Sequence, residues 1–158
     1  MCFYFAVAAG GVIKTMNSYG RMNYQHTPSD TILYNGILTV KQKRQLQHEF
    51  KIHLEKYFKE LIGKSSDSTK ITIWEQAVIC RGKGFLTEPE KFVARTPDGK
   101  KIINASRMKI FKQFAKDNQH YFEEKLRANC IYQTYTFEST MDVWIHVLIF
   151  DQLLIDIK

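Results

Sequence analysis

The sequence predicts an α+β fold, a four-stranded and mainly antiparallel sheet with helices packed on one face. Three observations lead there. Apolar residues recur at steps of three and four in two long stretches, which is the period of a helix with one buried face. Two pairs of short segments rich in Ile, Val, Thr and Tyr alternate in polarity, each pair broken by a turn. The order is helix, strand, strand, short helix, helix, strand, strand. It reads as two helix-hairpin units, each opening after a Leu-Thr, at Leu38-Thr39 and Leu86-Thr87, and suggests a weak internal duplication.

Residues 1–13 form an apolar run that is too short to span a bilayer as a helix, which takes ~20 residues. The run also lacks the basic leader of a secretory signal. Three readings stand: an extension without function, which is preferred, a membrane-touching segment, or residues upstream of a start at Met16 or Met22. Residues 14–36 carry Asn, Ser, Gly, Thr, Pro and Asp and read as a loop or linker. The chain therefore divides into a poorly ordered extension over 1–36 and a single α+β domain over 37–158.

Within that domain, Thr39-Val40-Lys41-Gln42 is a T-x-x-Q capping box. Behind it Leu46, Phe50, Leu54, Tyr57, Phe58, Leu61 and Ile62 share a face, so a helix is expected over 40–62 with Gly63 as its C-cap. Strands are expected over 69–74 and 77–81, joined at Glu75-Gln76, with Gly82 and Gly84 ending the second. Thr87-Glu88-Pro89-Glu90 is a second capping box, with Pro in the first turn of a short helix running to about Arg95. Thr96-Pro97-Asp98-Gly99 reads as a turn. A long helix should follow from about residue 100 to 127, its start lying nearer Ser106 if Asn104 or Ser106 caps it. Its core face holds Ile103, Ile110, Phe111, Phe114, Tyr121, Phe122 and Leu126. Residues 130–137 alternate as a strand. Residues 143–150 are apolar on both faces, which suits a central strand or one covered on both sides, and the last residues extend it or form a tail.

At 158 residues one domain is expected, with 44% hydrophobic and 25% charged residues in the globular range. Cys2, Cys80 and Cys130 are scattered and odd in number, as in a reducing compartment. His48-Glu49 and His53 invite a zinc reading. The two His residues are five apart and diverge by about 140° on a helix, where the motif needs four. Gly82-Lys83-Gly84 has no phosphate-loop spacing, and no nucleophile elbow is present. The expectation is a protein without catalytic residues, metal or cofactor.

A net charge of +7 suits acidic partners, with solubility alone as the equal alternative. Between residues 100 and 127 eight basic residues stand against three acidic ones. Lys109, Lys112 and Lys116 share a helix face. With Arg107 and Lys83 they are the candidate partner- or anion-binding residues, against the plain alternative of a solvated helix face.

From Phe50 to Phe150 the chain resembles the bacterial MpsC family, also called YbcI-like. The resemblance rests on Glu55-Lys56-Tyr57-Phe58 before Gly63-Lys64, and on Thr69-Lys70-Ile71-Thr72-Ile73. It continues through Gly84-Phe85-Leu86-Thr87-Glu88-Pro89-Glu90-Lys91, similar to the family's G-x-L-T-x-x-E-K. Asp98-Gly99-Lys100, the helix with Arg107 and Tyr121-Phe122-Glu123, and the apolar ending over 143–148 complete it. The family loop usually holds Gly-Lys-Gly-Pro where this chain has Gly63-Lys64-Ser65-Ser66, and Lys59 to Leu61 intervene before it. The resemblance implies a small accessory or regulatory subunit, without carried-over catalytic residues, of a sodium-translocating, membrane-potential-generating system linked to bicarbonate supply. Its implied partner is a subunit of a membrane transport complex, and its implied place is the cytoplasm, peripheral to the inner face of the membrane. The chain has no transmembrane span of its own to form a transport path. Exposed strand edges leave room for a homodimer. The alternative function is a basic nucleic-acid-binding module.

Overall fold

The computed structural model describes residues 12–16, 22–26 and 36–156. The first two stretches are strands β1 (Val12–Met16) and β2 (Met22–His26), paired antiparallel with Val12 opposite His26. They lie where the sequence predicts an extension or linker, and they form a unit separate from the rest. The other residues of 1–35, Cys2 among them, lie outside the described residues.

The second unit is an antiparallel sheet with helices on one face. Its elements are α1 (Val40–Ile62), β3 (Ser68–Trp74), β4 (Ala77–Lys83), α2 (Glu88–Val93), α3 (Pro97–Leu126), β5 (Cys130–Glu138) and β6 (Val143–Phe150). The strand order is β3-β4-β6-β5, so β4 and β6 are central and β3 and β5 are edges. β6 pairs with β4 on one side and β5 on the other, so it is a central strand as expected.

The helix ends follow local chemistry. The Thr39 hydroxyl accepts the N–H of Gln42, and the Gln42 side chain accepts that of Thr39, at 3.2 and 2.8 Å. Gly63 closes α1 at φ 74°, a left-handed conformation that a residue without Cβ takes freely. The expected turn at residues 96–99 is instead the first turn of α3. Thr96 is its N-cap, and its hydroxyl accepts the N–H of Gly99 at 3.0 Å. Thr, Pro, Asp and Gly serve a turn and a helix start equally well, because both use a side-chain oxygen and a preset φ. Asn104 is no cap; its side-chain oxygen accepts the N–H of Ser139.

Leu46, Phe50, Leu54 and Phe58 of α1 and Ile103, Phe111, Phe114, Phe122 and Leu126 of α3 are buried against Ile71, Ile73, Val78, Cys80, Trp144, Leu148 and Phe150 of the sheet. Rings dominate the contact. Phe58 lies within 4.8–5.7 Å of the rings of Phe85, Phe111, Phe114 and Trp144, edge-on or tilted. Leu61, placed on the core face by its spacing, is half exposed because α1 is ending there. The last described residues form a tail. Leu154 and Ile155 are buried, and Leu154 bonds to Glu75 of the β3–β4 turn and to Leu38.

Gly82 does not end β4; the strand runs through it to Lys83. A Cβ there would overlap the indole of Trp144, which lies across the glycine and donates its Nε1–H to Ser66 at 2.7 Å. His146, also buried, bonds Gln133 through Nε2, and its Nδ1 has no partner among the described residues. Burial pushes its imidazole down from 6.5 to about 4.

Two outcomes follow from this packing. Gly82→Ala should lower the unfolding free energy by about 2 kcal/mol, read from the denaturant midpoint at unchanged m-value. Between pH 4 and 6.5 the unfolded chain binds a proton at His146 that the folded chain refuses, so stability should rise with pH across that window. His146→Leu should flatten that slope in pH-resolved unfolding curves.

Candidate functional site

The segment from Gly84 to Lys91 joins β4 to α3 through α2, and it is fastened from three sides. Gly84 sits at φ 76°, and the space a Cβ would take holds the Asp67 carboxylate. Asp142, in the β5–β6 turn at φ 49°, accepts the Gly84 N–H on its backbone oxygen. Its carboxylate accepts the N–H groups of Phe85 and Leu86 at 2.8 and 3.0 Å. From the loop after α1, Lys64 Nζ donates to the Leu86 carbonyl at 2.7 Å. Phe85 and Leu86 are thereby sunk into the core with their backbone polar groups bonded.

Thr87 then caps α2. The Glu90 carboxylate accepts the Thr87 N–H at 2.8 Å and its hydroxyl at 2.7 Å. The same oxygen takes a charged hydrogen bond from Arg107 Nη2, which also donates to the Phe85 carbonyl. The guanidinium lies 4.5 Å from the centre of the Phe85 ring and is 2% exposed. Burial pushes the Glu90 carboxyl up. The Thr87 amide and hydroxyl and the Arg107 charge outweigh that and hold it below the usual carboxylate range.

Arg107 therefore faces inward, away from the lysines with which its charge groups it in the sequence. Lys109, Lys112 and Lys116 do come together on the exposed side of α3 and form no salt bridge among the described residues. Lys83 lies elsewhere, exposed on the sheet face opposite the helices. His53 bonds Asn118 at 2.6 Å and stacks on Tyr121 at 3.8 Å, away from His48. Among the described residues no three His, Cys, Asp or Glu side chains gather as a metal site.

Two features were invisible in the sequence. The first is a cleft of about 430 Å³ between α2, the first turn of α3 and the β5–β6 turn, lined by Leu86, Lys91, Ala94, Arg95, Lys100, Ser139, Thr140 and Asp142. The second is the face of the sheet that, among the described residues, no helix covers. Register places Ile79 beside Val147, Ala77 beside Ile149, Arg81 beside Ile145 and Lys83 beside Val143. Trp74 and Tyr132 flank one end, 55% and 61% exposed. Lys70 pairs with Arg81 at the other end, with Glu138 on the far edge beside Val143. The alternation that predicts each strand carries the open-face pattern, but which face the helices leave open is set by packing.

Compared with known proteins, residues 42–152 match the family described as Na+-translocating membrane potential-generating system (MpsC). An uncharacterized protein of Bacillus subtilis (strain 168), YrhF, is 26% identical over 106 residues, covering 66% of this chain and 87% of the relative. No solved structure matches the chain.

The Arg107–Glu90 pair is open to direct measurement. Arg107→Ala should lower stability by about 3 kcal/mol, since it strands Glu90 and opens a hole beside Phe85. Lys109→Ala should change it by under about 0.5 kcal/mol. A double-mutant cycle with Glu90→Gln should return a coupling of roughly 1–3 kcal/mol. Strict additivity would refute the pairing.

Proposed function

The chain belongs to the MpsC family, and from that premise we propose that it is a non-catalytic accessory subunit of a Na+-translocating, membrane-potential-generating system. Family membership ties it to such a system. Among the described residues no helix is long and apolar enough to cross a membrane, so a docking role suits it better than an ion path.

The observation that carries the reading is the open sheet face. Val143, Ile145, Val147, Ile149 and Ile79 form an apolar band that α1 and α3, packed on the other side, do not cover. Exposed aromatics at one end and Lys70, Arg81 and Lys83 at the other resemble the apolar centre and charged rim of a protein interface. Three cations against Glu138 give that end a positive balance, so the partner surface is apolar with acidic residues at its edge. On this reading the partner is a subunit of the membrane complex, and the chain works peripherally at the inner face of the membrane, in support of transport linked to bicarbonate supply. The exposed lysines of α3 favour a second reading, contact with nucleic acid.

Affinity-tagged full-length chain should recover a transport subunit of the system from detergent-solubilised host membranes. Ile145→Glu and Val147→Glu should abolish that recovery while leaving the circular dichroism spectrum unchanged. Recovery of no such subunit, recovery indifferent to both variants, or pairing only with a second copy of the chain would overturn the proposal. A salt-sensitive mobility shift lost in a Lys109→Ala, Lys112→Ala, Lys116→Ala variant would support the second reading instead.

A further inference from the structure

We propose that the cleft beside α2 binds a phosphate-type oxyanion, free or carried on a small molecule. Three cations reach it from different directions: Lys91 from α2, Arg95 from the α2–α3 connection and Lys100 from the first turn of α3. Lys91 shares its charge with Glu88 at 2.7 Å, whereas Arg95 and Lys100 form no salt bridge among the described residues. Asp142 is the one acid in the lining, and its two oxygens already accept the N–H groups of Phe85 and Leu86. The lining therefore holds three positive charges against the one negative charge of Asp142, which also acts on Lys91.

The second, independent observation is Ser139. It is 5% exposed, lines the cleft, and its Oγ is buried without a hydrogen-bond partner among the described residues. A buried hydroxyl left unbonded is unfavourable, and a native fold that keeps one gives it a use. Thr140 lines the same wall, with its hydroxyl bonded to the Glu138 carboxylate. A planar guanidinium, an ammonium and the Ser139 hydroxyl match the several acceptor oxygens of a tetrahedral anion. The volume of about 430 Å³ exceeds that of inorganic phosphate alone, which leaves room for a small molecule bearing the group.

The cleft is walled by the parts that Arg107 and Asp142 hold in place. One of its lysines, Lys91, closes the Gly84-to-Lys91 segment. The site is separate from the open sheet face, so it stands or falls without the docking reading.

The test uses full-length chain titrated at constant ionic strength with inorganic phosphate and, separately, with adenosine monophosphate, followed by calorimetry and by amide shifts of Ser139 and Thr140. Saturable binding of at least one probe is expected. The Arg95→Ala, Lys100→Ala double variant should weaken it by at least about tenfold, as loss of charged hydrogen bonds implies. Ser139→Ala should weaken it several-fold with an unchanged unfolding midpoint. The Lys109→Ala, Lys112→Ala, Lys116→Ala variant should bind as the parent does. Tighter binding of the nucleotide identifies a phosphate ester as the ligand, and equal or tighter binding of phosphate identifies the free anion. No saturable binding of either probe overturns the proposal, as does binding that survives the cleft variants or is lost in the α3 variant.

Discussion

A guanidinium buried to 2% exposure is the constraint on which the middle of this protein depends. A charge withdrawn from water must be met by an opposite charge and by hydrogen-bond acceptors, or the folded state does not hold it. Arg107 is met through Nη2 by Glu90 and the Phe85 carbonyl and across its face by the Phe85 ring, all contributed by the segment before α3, while its Nε and Nη1 have no partner among the described residues. That requirement explains why a helix as short as α2 (Glu88–Val93), with no buried residue of its own, stays in place. Its capping carboxylate and the counterion of Arg107 are the same group, so helix start and tertiary contact form together.

The same segment is held from the opposite side by Asp142, whose positive φ turns its backbone oxygen and carboxylate toward residues 84–86. Asp tolerates that conformation better than most side chains. The two anchors act on one loop from α3 and from the β5–β6 turn, and the cleft lies between α2, the first turn of α3 and that turn between strands. Its chemistry is thus a consequence of a structural device, in which the groups that bear the load are Arg107 and Asp142 and the groups left facing solvent are Lys91, Arg95 and Lys100.

Much of the fold was legible along the chain. The capping box at Thr39 and the glycine at residue 63 bounded α1 to the residue, because caps are local chemistry. The apolar character of residues 143–150 on both faces suited a central strand, and β6 does lie between β4 and β5. Local signals failed where two structures share them. Thr96-Pro97-Asp98-Gly99 serves as turn or helix start, and the choice lay with the packing of α3 behind α2. Gly82 served as a strand end in isolation, and its use became visible only with Trp144 across it from the neighbouring strand. The site was less legible still. Arg107 is one basic residue among eight in its stretch, and composition does not say which of them turns inward.

The sequence by itself determined the periodic elements, their caps and the excess of positive charge, because each of these depends on residues within a few positions of one another. Only the tertiary structure decided which charges are buried, which sheet face stays open and where a cleft forms. Those properties arise between residues far apart in the chain, such as Glu90 with Arg107 and Asp142 with Leu86, and a short-range pattern carries no record of such distances.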